Sequence, residues 1–215
     1  MKKYVQEATD INIWTSIKNN TFERNKDIKE FIDGLELIDE SACISLDAKW
    51  GDGKTFFVRQ IEEVLKYVLA NQRADEENPI EKIPSYEYLK DNEMMAKIDL
   101  KHSYLPIYYN AWMYDNHSDP LMSLLLVMTK TCKGVYDTKI DSEKISEKLI
   151  KALSTLPISL GEFKMNPFTV AEKLQVKKVD ILSLVQTEEE IRERVKGIFN
   201  DIIVERAQKL IIFID

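Results

Sequence analysis

The chain has 215 residues, enough for one large domain or two small ones. Hydrophobic residues make up 44% and charged residues 31%, which argues against a disordered or fibrous chain. The net charge of -7 disfavours a dedicated nucleic-acid binder, since those usually carry a basic excess. No apolar run approaches the ~20 residues of a membrane span, and the N-terminus lacks a signal-peptide pattern. We therefore expect a cytoplasmic protein without a transmembrane segment.

The first part of the chain predicts a helix and then a short strand. In residues 25–37, apolar side chains recur every three to four positions, as in an amphipathic helix. We expect residues 1–40 to form a helical lead-in. The apolar run 42–46 predicts a buried strand in which Cys43 packs as a small hydrophobic side chain.

The segment after this strand contains two of the six glycines. A phosphate-binding loop needs small residues where backbone N–H groups turn toward phosphate oxygens, and Gly51 and Gly53 meet that need. Lys54 is suited to bridge the β- and γ-phosphates, and the Thr55 hydroxyl to hold Mg²⁺. The residues that we predict to bind nucleotide are Lys49, Trp50, Gly51, Asp52, Gly53, Lys54, Thr55 and Phe56.

The loop departs from the usual pattern at its first position. The pattern Gly-x4-Gly-Lys-[Ser/Thr] has glycine where this chain has Ala48. A simpler interpretation is a glycine turn with a solvated Lys54. The phosphate loop is favoured because the segment lies between an apolar run and an amphipathic helix expected over residues 55–71.

The middle of the chain predicts another strand and several helices. Residues 105–109 are apolar and aromatic, as in a buried strand. Asp119 and Pro120 predict the start of a helix that runs to about residue 133. We expect a helical insertion over about residues 135–186. It contains a helix over residues 142–156 and a loop with a short helix over residues 157–186, and a capping box then begins a helix at Thr187.

The apolar run 210–214 ends in Asp215. Alone it indicates a core strand, but after a phosphate loop it predicts a strand that delivers an acid near Thr55 and Mg²⁺. We therefore predict Lys54 and Asp215 as catalytic residues, and Thr55 and Asp215 as metal-binding residues. Short apolar strands separated by helices predict an α/β domain over residues 41–215, with a mainly parallel sheet flanked by helices.

Three segments resemble the KAP family of P-loop NTPases. The resemblance extends from about residue 25 to residue 215 and implies ATP as the nucleotide, with hydrolysis coupled to a signalling or phage-defence role. The matching segments are Trp50-Gly51-Asp52-Gly53-Lys54-Thr55, Tyr109-Asn110-Ala111-Trp112 followed by Asp119-Pro120-Leu121, and Ile212-Phe213-Ile214-Asp215.

The family's acidic motif continues past the position of Asp215, and a central strand of its sheet follows that motif. The resemblance therefore implies a sheet that is incomplete at the C-terminus until a missing C-terminal part or a protein partner completes it. We expect this chain alone to bind nucleotide with little turnover. Two alternatives stay open: a non-catalytic interaction platform, favoured by Ala48, and a small-molecule kinase with a lid within residues 157–186.

Ordinary structural roles are expected for four other residues. Trp50 and Trp112 flank predicted strands and are expected in the core, with a contact to nucleotide or to a partner as the alternative. Asn110 is expected to form a turn, with a contact to phosphate as the alternative. Arg59, one turn after the loop, is expected to be a solvated helix residue.

Overall fold

The computed structural model describes a large part of the chain, which divides into two compact units. The first unit comprises Met1–Tyr108, Ala207–Phe213 and Asp215, and the second comprises Tyr109–Arg206 and Ile214. The described residues are 7–75, 79–115, 120, 123–124, 127–128, 131, 196–197 and 208–215. The predicted insertion over 135–186, its helices and the helix from Thr187 lie outside the described residues.

Helix α1 (Asp10–Lys18) is absent from the sequence predictions. The Thr9 side chain caps it by accepting a hydrogen bond from the Asn12 N–H at 3.4 Å. Ile13 and Ile17 lie four residues apart on one face and are fully buried. The described part of residues 1–40 thus holds α-helices of 9 and 12 residues, of which the periodicity of residues 25–37 predicts only the second.

A strained turn separates the first two helices. Asn20, Phe22 and Glu23 have φ angles of 47°, 59° and 57°, a region that residues with a Cβ rarely adopt. The Asn25 side-chain amide donates to the Ile17 carbonyl at 2.9 Å, and the Asn20 carboxamide oxygen accepts from the Asn25 N–H at 3.1 Å. These bonds hold the turn, which includes a 3-10 segment at Thr21–Glu23.

Helices α2 (Arg24–Leu35) and α3 (Lys54–Gln72) confirm the predicted helices to within two residues at each end. Between α3 and the sheet lie α4 (Tyr86–Leu89) and two 3-10 turns, Ile80–Lys82 and Met95–Lys97. Helix α1 packs on α3 and α4, and α2 packs on α3. The core of the first unit is built mainly from Ile13, Ile17, Ile28, Ile32, Ile61, Val64, Leu65 and Leu89.

Two parallel strands, β1 (Tyr104–Tyr109) and β2 (Lys209–Ile214), pair with each other. They confirm the strands predicted over residues 105–109 and 210–214. β1 is buried along almost its whole length, as its continuous apolar sequence predicts. Helices packed beside a parallel strand pair agree with the expected α/β class.

The strand predicted over residues 42–46 is wrong in this structure. Residues 39–49 form no strand, and all of residues 39–52 are exposed, including Cys43 and Ile44, which is 52% exposed. The sheet in the described part of the chain contains β1 and β2 alone, so residues 42–46 pair with neither strand and their exposed segment is open to solvent. An apolar run can form a buried strand only where a neighbouring strand accepts it.

The described residues of the second unit include the end of β1 and several helical positions. Pro120, Ser123, Leu124, Val127, Met128 and Thr131 are helical, as the Asp119–Pro120 signal predicts. The Tyr109 and Ser123 hydroxyls share a hydrogen bond of 2.7 Å. Asn110 accepts a hydrogen bond from the Met113 N–H at 3.1 Å, which supports its turn-forming role. The core position expected for Trp112 is wrong, since this side chain is 76% exposed.

Among the described residues, no helix combines the length and apolarity that crossing a membrane requires.

Candidate functional site

The loop between residues 48 and 54 has the backbone shape that its glycines predict. Gly51 and Gly53 have φ angles of 88° and 82°, in the left-handed region that favours glycine. The Asp52 carboxylate accepts a hydrogen bond from the Lys49 N–H at 3.0 Å, while the Asp52 N–H donates to the Lys49 carbonyl at 3.2 Å. The loop therefore closes on itself before α3 begins.

Lys54 lies across this loop. It is the first residue of α3, and its ammonium donates to the carbonyl of Ala48 at 2.5 Å and to that of Lys49 at 3.1 Å. These two carbonyls come from the start of the loop, so the side chain turns back over the segment that precedes it. In the part of the chain that the structure describes, the hydrogen bonds of this ammonium go to carbonyl oxygens near the surface, which it can exchange for the oxygens of an anion.

The N-terminus of α3 is suited to an anion. Gly53 is its N-cap, and no side chain within the described residues caps it. The first turn of this described helix holds no acidic residue that would repel an anion. Thr55 is the second residue of the helix, so its hydroxyl belongs to this turn. The first N–H groups of a helix lack intrahelical partners, and the helix dipole adds positive potential there. Backbone, ammonium and hydroxyl groups thus occupy one end of α3.

Arg24 contacts the loop, a residue that the sequence reasoning missed. Its guanidinium donates to the Asp52 carbonyl at 3.0 Å and to the Gly53 carbonyl at 3.3 Å. It also lies over the ring of Phe57, 5.9 Å from the centroid. Arg24 is the first residue of α2 and comes directly after the strained turn. No local sequence signal marks it, because Arg24 and Gly53 are 29 residues apart.

The two aromatic residues predicted to bind nucleotide differ in their surroundings. Trp50 is 87% exposed, so the core position expected for it is wrong. Phe56 is half-buried and packs against the hydrophobic core. Trp50 is therefore free to contact a ligand with its side chain, while Phe56 can contribute only its backbone N–H without leaving the core.

Asp215 follows β2 and contacts the neighbouring strand. The Tyr108 hydroxyl donates to its carboxylate at 2.7 Å. Burial of the ring, and then the hydrogen bond to this carboxylate, raise the pKa of Tyr108 above its ordinary value. The carboxylate is thus held at the end of β2 by a neutral hydroxyl donor.

Arg59 is not a solvated residue, and that expectation is wrong. Its side chain is 16% exposed and forms ion pairs with Asp10, at 2.7 Å, and with Glu62. Lys66 lies 2.7 Å from Glu62 and 2.8 Å from Glu63. The spacing of these charges along α3, three and four residues apart, is the signal that could have indicated this cluster.

Burial and charge compete within this buried charge cluster, which we define as Arg59, Glu62, Glu63 and Lys66. Burial raises the pKa of Glu62 even though Lys66 and Arg59 lie beside it. Burial acts to lower the pKa of Lys66, but the carboxylates of Glu62 and Glu63 outweigh it and the pKa is raised. The Trp14 indole N–H adds a hydrogen bond to Glu63 at 2.6 Å, which connects α1 to the cluster.

The chemistry of the oxygen donors in this unit is compatible with Mg²⁺ bound together with nucleotide phosphates. Magnesium prefers hard oxygen ligands and usually keeps several waters, so one hydroxyl and one carboxylate beside phosphates are enough. Thr55 and Asp215 are groups of these types. The described residues contain no cluster of three or more His, Cys, Asp or Glu side chains that could hold a metal by themselves.

A glycine loop that enters a helix through Lys-Thr, in a unit that also holds parallel strands, is typical of a P-loop nucleotide-binding domain. Comparison with protein families agrees, because residues 24–215 match the KAP family P-loop domain. The chain belongs to the KAP family of P-loop NTPases, as its resemblance predicts. Searches of curated proteins and of solved structures found no match to this chain.

Proposed function

We propose that the chain binds ATP with Mg²⁺ at the loop that ends in Lys54 and Thr55. The observation that carries this proposal is the position of the Lys54 ammonium, held by the carbonyls of Ala48 and Lys49 beside an uncapped helix N-terminus. An ATP phosphate offers charged oxygens in place of these neutral carbonyls, and charge-assisted hydrogen bonds are the stronger ones. ATP rather than another nucleotide rests on family membership.

Each proposed group has a distinct role. The backbone N–H groups from Gly51 to Thr55 position the phosphates, and Lys54 neutralises charge on the β- and γ-phosphates. Thr55 would hold Mg²⁺ directly, and Asp215 would hold it through water. The bound cation would offset charge on the phosphates. Lys49, Trp50, Asp52 and Phe56 complete the proposed contacts.

We expect little turnover from the arrangement described here. Residues 39–49 form no strand, so the start of the loop is not fixed by a sheet. Efficient phosphoryl transfer depends on tight positioning of the phosphates. We propose that a strand from another segment of polypeptide, or from a protein partner, pairs with residues 42–46 and permits hydrolysis. A coupled signalling or phage-defence role is proposed from the family resemblance alone.

Isothermal titration calorimetry with Mg²⁺–ATP tests the proposal. Wild-type chain is expected to release heat of binding, and Lys54→Ala is expected to weaken binding at least about tenfold, because a charge-assisted hydrogen bond contributes about 1.5–3 kcal/mol. Lys97→Ala is the matched control, since Lys97 is exposed and forms only a loose contact of 3.8 Å with Glu93. Absence of binding by folded wild-type protein would contradict the proposal.

A non-catalytic interaction platform is the second candidate. It is favoured by the exposure of Ile44, Leu46 and Trp50, three large apolar side chains within seven residues of one another. Such a surface could contact a partner without any nucleotide. The same titration distinguishes the two functions, because a platform without nucleotide binding releases no heat with Mg²⁺–ATP. Circular dichroism then shows whether the protein that gives no heat is folded.

A further inference from the structure

The contacts of Asp215 extend to a tyrosine and an arginine that the nucleotide motifs do not include. We propose that Tyr108 is a positioning residue that fixes the Asp215 carboxylate for Mg²⁺, and that Arg59 fixes the Tyr108 ring in turn. This inference rests on the proposed function, because it concerns the same Mg²⁺-dependent binding of ATP.

A hydrogen bond joins Tyr108 of β1 to Asp215, the residue that follows β2. The Tyr108 hydroxyl donates to Oδ2 of Asp215 at 2.7 Å, a normal length for a strong O–H···O bond to a carboxylate. A carboxylate has two oxygens, so a donor on one of them orients the other toward a cation or its water. Groups that orient metal ligands in this way tune metal affinity without touching the metal.

A second contact fixes the tyrosine ring. The Arg59 guanidinium carbon lies 4.8 Å from the centre of the Tyr108 ring, within the range of a cation–π contact. Arg59 is itself held by Asp10 and Glu62 and has a largely buried side chain. The ring therefore packs against a cation with little freedom to move.

Arg59 lies on α3, the helix that follows the loop. Arg59 follows Thr55 by four residues on α3, and residues four apart in a helix lie on the same face. The face that begins with Thr55 is thus the face whose Arg59 contacts Tyr108, which binds Asp215. The proposed carboxylate ligand is thus in contact, through Tyr108, with an arginine that lies on the helix face of Thr55.

A matched tyrosine on the same strand allows a controlled test. Tyr104 also donates its hydroxyl, to the Leu35 carbonyl at 3.1 Å, and is buried. It lies four residues before Tyr108, on the same side of β1. Tyr104→Phe therefore removes a more deeply buried hydroxyl that has no contact with Asp215 among its hydrogen bonds in the described structure.

The experiment measures ATP binding to the wild-type chain, Tyr108→Phe and Tyr104→Phe, with Mg²⁺ titrated from none to saturation. For Tyr108→Phe, we expect unchanged ATP affinity without Mg²⁺ and a Mg²⁺ midpoint raised about tenfold, the lower end for groups that orient metal ligands. Tyr104→Phe is expected to keep the wild-type midpoint, even where urea unfolding shows that it loses as much stability as Tyr108→Phe or more.

The outcomes separate this inference from the proposed function. A wild-type chain that binds no ATP would contradict both. A wild-type chain that binds ATP in a Mg²⁺-dependent way, with the same Mg²⁺ midpoint in Tyr108→Phe, would overturn only the role of Tyr108. Equal shifts in both tyrosine variants would also overturn it, because they would reflect a general structural effect.

Discussion

The loop and the helix that follows it differ in how they are held. Residues 39–52 are exposed, and the contacts that shape the loop are mainly backbone bonds, Lys54 and Arg24. From the sixth residue of α3 onward, the charges of the buried charge cluster pair with one another and with α1. This difference indicates that α3 is held in place by buried ion pairs, whereas the contacts of the preceding loop are ones that a ligand can replace.

Substitution in the buried charge cluster should have the largest effect on stability. Glu62→Gln leaves Arg59 and Lys66 without a buried carboxylate that both contact, and we expect a loss of about 3 kcal/mol, as for other buried pairs that lose one partner. Urea unfolding measures the change. Glu30→Gln is the control, because Glu30 forms an exposed pair with Lys26 and its loss should cost less than about 0.5 kcal/mol. Equal effects of the two substitutions would contradict the importance of burial for the cluster in α3.

Substitution in the loop should have a smaller effect on stability and a clear effect on binding. Gly53→Ala places a Cβ where φ is +82°, 3.3 Å from the Arg24 guanidinium, and should cost about 1–2 kcal/mol while weakening ATP binding. Gly34→Ala is the opposite case, because it lies within α2 with open space around it. It should stabilise the chain by about 0.5–1 kcal/mol. Stabilisation by Gly53→Ala would contradict the loop geometry.

The smallest expected effect is a dependence on alkaline pH. Burial, and then contact with Glu36, raise the pKa of Tyr104 above its ordinary value of 10.0. The folded chain then holds the phenolic proton more tightly than the unfolded chain. This contribution to stability is complete below pH 10 and is lost as pH rises above it. The urea midpoint of unfolding should therefore fall less steeply with rising pH above pH 10 in Tyr104→Phe than in wild type. Identical dependence of the midpoint on pH in the two proteins would contradict this explanation.

The sequence predicts the elements whose signals are local. The periodicity of α2 and α3, the apolar runs of β1 and β2 and the positive φ angles of Gly51 and Gly53 all follow from neighbouring residues. The loop motif and the family resemblance also depend on short segments. These features agree with the structure because short-range geometry determines them.

The contacts that sequence reasoning missed depend on long-range pairing. Arg59 is buried because Asp10, 49 residues away, and Tyr108 lie against it. Arg24 contacts the carbonyls of Asp52 and Gly53, which are 28 and 29 residues away in the sequence. Residues 42–46 have a strand-like composition but lack a paired strand in the described part of the chain. Composition does not reveal such partners.

The central claim is that a nucleotide replaces the contacts of the loop while α3 stays as it is. Amide hydrogen exchange, measured with and without Mg²⁺–ATP, tests it most directly. We predict slower exchange in peptides covering residues 48–56 on addition of Mg²⁺–ATP, and unchanged exchange in residues 60–72. Unchanged exchange in residues 48–56 at saturating Mg²⁺–ATP would contradict the claim.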